Sequence, residues 1–433
     1  MLHDPVLLLS AGVAFLFLLI LLHVPIGAAM GFSGIVSFGL MVGFMPALST
    51  VAIETATALT SGELGTIPLF LLMGSLASRA RLSSDIYKVA NAFIGHRRGG
   101  LAMSTIAGCA GFGALCGSSV ATTATMARVA LPEMRERGYA SELASGSIAA
   151  GGGLGILIPP SIIMVIYAFL TEQFVLDLFV AGILPGLLAV ALYWIAIKVV
   201  VTLKPGTAPI SERQGWDARW KSLTGAWRAL TVIVLVTGGI YAGVFTVLEA
   251  ASVGVIVTFV FFLLTPMEDR FGALIAVLVE TARSTGLIML MAIGANIFSY
   301  FLTISGAAQE LVGTIAASGL NRYVIILLIL AMYIVLGAIF DSIAAMVLTL
   351  PFVFPLVMQL GFDPIWWGII NVMIIEIGMI TPPIGLNVFV LYGMADRLPL
   401  STIFRGIVPF LVADFVRVGL IIAFPVIALA LVH

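Results

Sequence analysis

SSVATTATMARVALPEMRERGYASELASGSIAAGGGLGILIPPSIIMV, residues 118–165, and DSIAAMVLTLPFVFPLVMQLGFDPIWWGIINVMIIEIGMITPPIGLNV, residues 341–388, decide the reading of the whole chain. Shifted by 223 positions (341 − 118), the two stretches align without a gap. Ser119 falls on Ser342, Ala121 on Ala344, Pro132 on Pro355, Gly138 on Gly361, Gly155 on Gly378, and Pro159-Pro160 on Pro382-Pro383. Each copy places a serine-containing break in an apolar region and a Pro-Pro 40 residues later (159 − 119 and 382 − 342). Duplicated, interrupted apolar helices are the sequence signature of a transport site near the bilayer midplane.

The composition supports a lipid environment. Of 433 residues, 61% are hydrophobic and 9% charged, with a mean hydropathy of +1.20, whereas a soluble domain carries about 25% charged residues. A net charge of −1 without a basic stripe leaves no nucleic-acid footprint. The N-terminus lacks a basic n-region and a small-residue cleavage site, so its first apolar run reads as a retained helix. Cys109 and Cys116 share one helical segment, too far apart for a disulfide, and read as small packing residues. His3, His23, His96 and His433 are scattered and form no metal constellation.

A membrane span needs about 20 apolar residues. Spans are expected at 5–22, 24–45, 64–80, 175–203, 229–247, 249–265, 271–297 and 402–431. Residues 82–94 are amphipathic, with Leu82, Ile86, Val89, Ala90 and Phe93 on one face, and a similar piece is expected near 306–317. The interrupted segments 100–136 and 323–360 read as re-entrant helical hairpins, and 140–170 and 365–394 as broken helices. The expected fold is an all-α polytopic membrane protein of two inverted-topology repeats, each of five spans plus one hairpin. The first repeat covers 1–203 and the second 229–433, joined by a polar linker at 204–228 that carries an interfacial helix with the stripe Trp216, Trp220, Leu223 and Trp227. Asp217, Arg219 and Lys221 are expected to face away from that stripe.

Five crossings per half invert the second half relative to the first. With both termini outside, the cations from Arg79 and Arg81 through Lys204, Arg213 and Arg270 to Arg397 and Arg405 fall on the cytoplasmic side, Arg322 being the exception. Glu54, Glu63, Glu172, Asp177, Glu249, Glu310 and Asp363 fall outside.

Where a helix stops at membrane depth, its terminal carbonyls and amides need a cavity holding water, ions or polar ligands. The candidate sodium ligands are Gly117, Ser119, Gly155 and Ile158 in the first half, and Gly337, Phe340, Ser342, Gly378 and Thr381 in the second. The half-helix N-termini beyond them favour an anion in the same space. Asp341, the carboxylate at a hairpin tip, either ligates cation, proton or substrate, or caps the helix that begins at Ser342. Arg128 either holds a substrate carboxylate or snorkels to the cytoplasmic face. Asn387 either orients substrate or bonds between helices. Ser118, Thr122, Pro160 and Pro383 complete the substrate candidates. Glu280 with Arg283, and Asp414 with Arg417, are spaced i,i+3 for pairing within their own helices. Metalloprotease, serine-hydrolase and P-loop motifs are missing from the sequence, so neither ATP nor an organic cofactor is implied, and no enzyme activity is expected.

The runs Gly117-Ser118-Ser119-Val120-Ala121-Thr122-Thr123-Ala124-Thr125, Leu131-Pro132-Glu133-Met134, Arg137-Gly138-Tyr139, Leu154-Gly155-Ile156-Leu157-Ile158-Pro159-Pro160-Ser161 and Phe179-Val180-Ala181-Gly182-Ile183-Leu184-Pro185-Gly186 resemble the large membrane (M, DctM-like) subunit of tripartite ATP-independent periplasmic (TRAP) transporters. Thr381-Pro382-Pro383-Ile384-Gly385-Leu386-Asn387 resembles the same family, and the likeness runs along essentially the whole chain. The resemblance implies a secondary transporter that imports a small organic acid with Na+ by an elevator motion of a transport domain against a scaffold. It implies a small four-helix membrane (Q) subunit and a periplasmic substrate-binding (P) protein as partners. Ten spans in this length leave no room for a fused Q. The competing readings are a stand-alone sodium/dicarboxylate symporter of the same general architecture and, from another class, an ion channel.

Overall fold

The computed structural model describes residues 5–210, 212–306, 313, 319–395 and 398–432. Among them there is no strand, and 6 helices are long and apolar enough to cross a membrane, or up to 9 if each bent pair is one span. The first half contains α1 (Pro5–Leu21), α2 (Ile26–Val42), α3 (Phe44–Thr60), α4 (Gly62–Arg79), α5 (Leu82–Ile94), α6 (Gly100–Cys116), α7 (Ser119–Glu136), α8 (Ser141–Leu157), α9 (Ile162–Thr171) and α10 (Val175–Leu203). After α11 (Trp216–Gly225) come α12 (Trp227–Tyr241), α13 (Val247–Leu264), α14 (Arg270–Ile304), α15 (Arg322–Ile339), α16 (Ser342–Gln359), α17 (Pro364–Gly378), α18 (Leu386–Met394), α19 (Leu400–Ala423) and α20 (Val426–Leu429).

The repeated sequence gives repeated local structure. Adding 223 to the bounds of α7, 119 and 136, gives 342 and 359, the bounds of α16. Both Pro-Pro bonds, Pro159-Pro160 and Pro382-Pro383, are cis. Each interrupted segment folds back on itself. In the first, the backbone amide of Leu101 donates to the hydroxyl of Tyr139 at 3.1 Å, joining the start of α6 to the end of α7. In the second, Thr349 Oγ1 lies 2.6 Å from Tyr333 Oη, and the rings of Tyr323 and Phe362 meet edge-on at 5.8 Å. Both pairs straddle the break at Phe340-Asp341, as an antiparallel hairpin requires.

Glycine decides the close crossings. Gly146 of α8 and Gly406 of α19 bring their backbones together with no space for a side chain. A Cβ on Gly27 of α2 would stand 2.5 Å from the backbone of Leu290 in α14. Small residues that let helix backbones touch are the usual cement of helices in lipid, where apolar burial alone gives no preference for a neighbouring helix over a lipid tail.

Several sequence expectations need correction. Residues 46–60, left outside the expected spans, belong to α3, which is bent by 54° against α4. Its Glu54, threonines and serine dilute the apolar signal, yet Glu54 is buried and accepts from Asn296 Nδ2 at 2.8 Å. Together α3 and α4 match the length of α14, which itself outruns the expected 271–297. The expected span 229–247 ends at Tyr241, where Gly243 turns the chain at positive φ and Thr246 and Glu249 close a capping box for α13. The last expected span stops at Ala423, before Pro425. The amphipathic face of α5 is rotated: Leu82, Ser83, Tyr87 and Ala92 are its buried residues, while Phe93 is left half-exposed. The piece expected at 306–317 lies almost wholly outside the described residues, as do Glu310 and Arg397.

Candidate functional site

The first turns of α7 and α16 face each other across one cavity of about 220 Å³. Its lining includes Gly117, Ser118, Ser119 and Val120 from the first hairpin tip and Asp341, Ser342 and Ile343 from the second. Leu71 of α4, Ile156 of α8, Ile162 and Ile163 of α9, and Ser284, Leu287, Ile288 and Met291 of α14 complete the wall.

Local chemistry explains why each helix begins there. Gly117 stops α6 in a left-handed conformation, φ +63°, that a side chain would resist. Ser118 then caps α7, its hydroxyl oxygen accepting from the amide of Ala121 at 3.4 Å. Asp341 does the same for α16 through Oδ1, which accepts from Ile343 and Ala344 at 3.0 and 3.1 Å. The capping role weighed for Asp341 is therefore present, and its second carboxylate oxygen makes no hydrogen bond among the described residues. Each helix also directs the positive end of its dipole towards the cavity.

The broken helices brace the tips in matching ways. The amide of Ile162, at the start of α9, reaches the carbonyl of Gly117 at 3.5 Å. Its counterpart Gly385 (162 + 223) donates to the carbonyl of Ala338 at 3.1 Å. A Cβ on Gly155 would meet Thr122 Oγ1 at 2.5 Å and the carbonyl oxygen of Ser118 at 2.8 Å, and one on Gly378 would meet Gly337 Cα at 2.7 Å.

The remaining sequence candidates lie behind or beyond the cavity. Thr122 is fully buried with an unpartnered hydroxyl. Ile158 packs towards Gly186, and the carbonyl of Pro160 lies against Gly117. Phe340 is the C-terminal cap of α15. Thr381 spends its hydroxyl on the carbonyl of Ile377 at 2.6 Å. Pro160 is buried but Pro383 is exposed, so the repeat is not matched in its surroundings. Asn387 is fully buried, and neither amide atom has a hydrogen-bond partner among the described residues.

A larger cavity of about 660 Å³ adjoins the first, sharing Leu71, Ser118, Val120 and Ser284. Arg79, Arg81 and Arg128 line it, so Arg128 stands on the approach to the tips and not between them. The Arg128 Nε donates to the carbonyl of Ala124 at 3.4 Å. Glu280 lines the same cavity and forms no ion pair with Arg283, contrary to the i,i+3 expectation, because its helix turns it to that open space. A third cavity of about 750 Å³ carries Glu54, Glu63 and Glu172. Glu63 opens α4 and Arg79 ends it, so the acidic and basic cavities lie at opposite ends of an 18-residue helix, about 27 Å apart.

Sequence reasoning missed Glu376. Arg417 pairs with Asp414 at 2.9 Å, as its spacing suggests, but also with Glu376 of α17 at 3.0 Å. Tyr193 of α10 donates to both oxygens of Asp414. All four residues are fully buried. The network joins α10, α17 and α19 and touches α8, since a Cβ on Gly153 would run into Glu376.

A multi-pass helical protein with two helix N-termini facing one cavity has the construction of a membrane permease. This chain belongs to the family described as "Tripartite ATP-independent periplasmic transporter, DctM component", whose model matches residues 13–427. It is 35% identical, over 84% of its length and 85% of the relative's, to the C4-dicarboxylate TRAP transporter large permease protein DctM of Pseudomonas aeruginosa. It is 30% identical to the sialic acid TRAP transporter large permease protein SiaM of Vibrio cholerae, over 92% of this chain and 96% of that one. The fold is similar to that of the YdaH transporter of Alcanivorax borkumensis, with a TM-score of 0.61 and 16% identity over 89% of this chain and 90% of that chain.

Proposed function

We propose that the chain is the permease subunit through which a small organic acid enters the cell together with Na+, the acid's carboxylate resting between the two hairpin tips. The observation that carries this reading is the meeting of the α7 and α16 N-termini across one small cavity. Paired positive dipole ends attract an anion, and the hydroxyls of Ser119 and Ser342 with the freed tip carbonyls offer the hard oxygen ligands that suit an alkali cation. The relatives named for C4-dicarboxylates and sialic acid carry carboxylates of different shapes, which favours a site that reads the carboxylate and leaves selection to a separate binding protein.

Sodium binds first and orders the tips in this scheme, and the acid then bridges them. Once their charges are neutralised, the hairpins and broken helices (α6–α9 and α15–α18) cross the low-dielectric barrier as a unit, sliding along α4 and α14. The tip cavity adjoins the arginine-lined cavity, which the distribution of Lys and Arg assigns to the cytoplasm, so this conformation is the inward-facing one. The two halves act as inverted repeats with both termini periplasmic, in the inner membrane. A small Q subunit and a periplasmic binding protein complete the transporter. Family membership favours this over a stand-alone sodium/dicarboxylate symporter.

The test is uptake into proteoliposomes containing the chain and its small subunit, with radiolabelled acids. Uptake that needs both an inward sodium gradient and the binding protein is expected. Sodium-driven uptake without the binding protein would overturn the tripartite reading.

A further inference from the structure

A second polar site lies away from the hairpin tips, where α11 packs on α5. Trp216, Trp220 and Trp227 are exposed at 63%, 61% and 54%, yet Arg219, on the same helical stretch, is only 5% exposed. Its guanidinium carbon stands 5.1 Å from the centre of the Trp216 ring and 5.6 Å from that of Phe93 on α5. This corrects the expectation that Arg219 faces away from the tryptophans.

The aromatic faces hold the cation but leave its hydrogen-bond donors unused. Arg219 Nε and Nη2, the two nitrogens of one guanidinium edge, are enclosed and have no hydrogen-bond partner among the described residues. Among the described residues no carboxylate comes within ion-pair distance of Arg219, and Asp85 on α5 is already engaged by Arg228 at 2.9 Å. In the loop after α5, His96 Nδ1 is also enclosed without a partner. Burial holds His96 below the ordinary imidazole range, and the charges of Arg219, Arg213 and Arg97 depress it further. Arg219 and His96 thus carry enclosed, unmatched nitrogens, within the field of the positive charges of Arg213 and Arg97. Such an arrangement is costly unless an anionic acceptor fills it, and the Nε–Nη2 edge suits an acceptor with two oxygens side by side.

We propose that the enclosed edge of Arg219, with His96 beside it, forms a binding site for a phosphate group, supplied by the headgroup of an anionic phospholipid and drawn in by the surrounding positive charge. A free phosphate ion shares the chemistry. The exposed tryptophans beside the site favour the lipid, because indole rings settle at headgroup depth and basic pockets at that level take anionic headgroups. The lipid would clamp the linker between the two halves onto α5.

The experiment is native mass spectrometry of the full chain, delipidated in detergent with any co-purifying subunit retained. It is titrated with dioctanoyl phosphatidylglycerol, dioctanoyl phosphatidylcholine or inorganic phosphate. Wild type should retain phosphatidylglycerol in preference to phosphatidylcholine, and Arg219→Gln should weaken that retention about tenfold. Arg213→Gln, at an exposed position, should weaken it in the same direction without disturbing the fold, which keeps the test valid if Arg219→Gln melts early. Equal retention of the two lipids, or a preference unchanged in both variants, would overturn the proposal. Displacement of the lipid by phosphate at equal concentration would overturn its assignment to a lipid headgroup.

Discussion

Ser119 directs its hydroxyl at the sulfur of Met379, 3.5 Å away, and the two residues come from opposite halves of the chain. Ser119 opens α7 at the first hairpin tip, and Met379 caps the C-terminus of α17. One tip therefore rests on the broken helix of the other half, which ties both halves to a single cavity. A thioether is a weak acceptor, so little is lost when this hydroxyl turns to a harder partner.

Replacing Ser119 with alanine should leave the melting temperature nearly unchanged and raise several-fold the sodium concentration needed for half-maximal uptake. An unaltered sodium dependence would confine the hydroxyl to its contact with Met379.

Asp341 allows charge and cap to be separated. Asparagine keeps an oxygen for the amides of Ile343 and Ala344 but removes the charge, so Asp341→Asn should fold as wild type and transport poorly. Alanine removes both and should also lose about 1 kcal/mol of stability. Thermal unfolding alongside uptake distinguishes them, and full transport by Asp341→Asn would leave only the capping role.

Glycine at the tips is a matter of space. A Cβ on Gly378 or Gly155 would press on backbone at 2.7 or 2.8 Å, pushing hairpin and broken helix apart. Uptake should fall about tenfold or more in Gly378→Ala and Gly155→Ala, since small misplacements at a binding constellation are amplified. Gly286→Ala, with nothing within 4 Å of the added carbon, should transport normally.

The Glu376–Arg417–Asp414 network predicts unequal losses. Arg417→Leu leaves two carboxylates buried without their cation and should destabilise by about 3–5 kcal/mol. Glu376→Gln preserves the Asp414–Arg417 pair and an acceptor for Arg417, and should be much milder. Melting temperatures of the purified variants decide between these outcomes.

The parts legible in the sequence are those set by short-range chemistry. Gly117-Ser118-Ser119 and Asp341-Ser342 mark the tips because a left-handed glycine and capping side chains act within a few residues. The offset of 223 carried the bounds of α7 onto those of α16. What escaped depends on distant partners. Nothing near Glu376 announces Arg417, and nothing near Ser284 says that α14 walls the cavity. Helix α3 is not legible as a span because Glu54 and its threonines dilute the apolar signal, and the partner that lets the carboxylate be buried, Asn296, lies far along the chain. The contrast between buried Pro160 and exposed Pro383 is likewise invisible to an alignment of the two copies.

The central claim is that acid and sodium meet between the hairpin tips. The most direct measurement places a single cysteine there, Val120→Cys with Cys109 and Cys116 replaced by alanine, and follows its reaction with a maleimide in proteoliposomes. Sodium together with the transported acid should slow labelling several-fold, with sodium alone giving a smaller effect. A labelling rate indifferent to both would contradict the account.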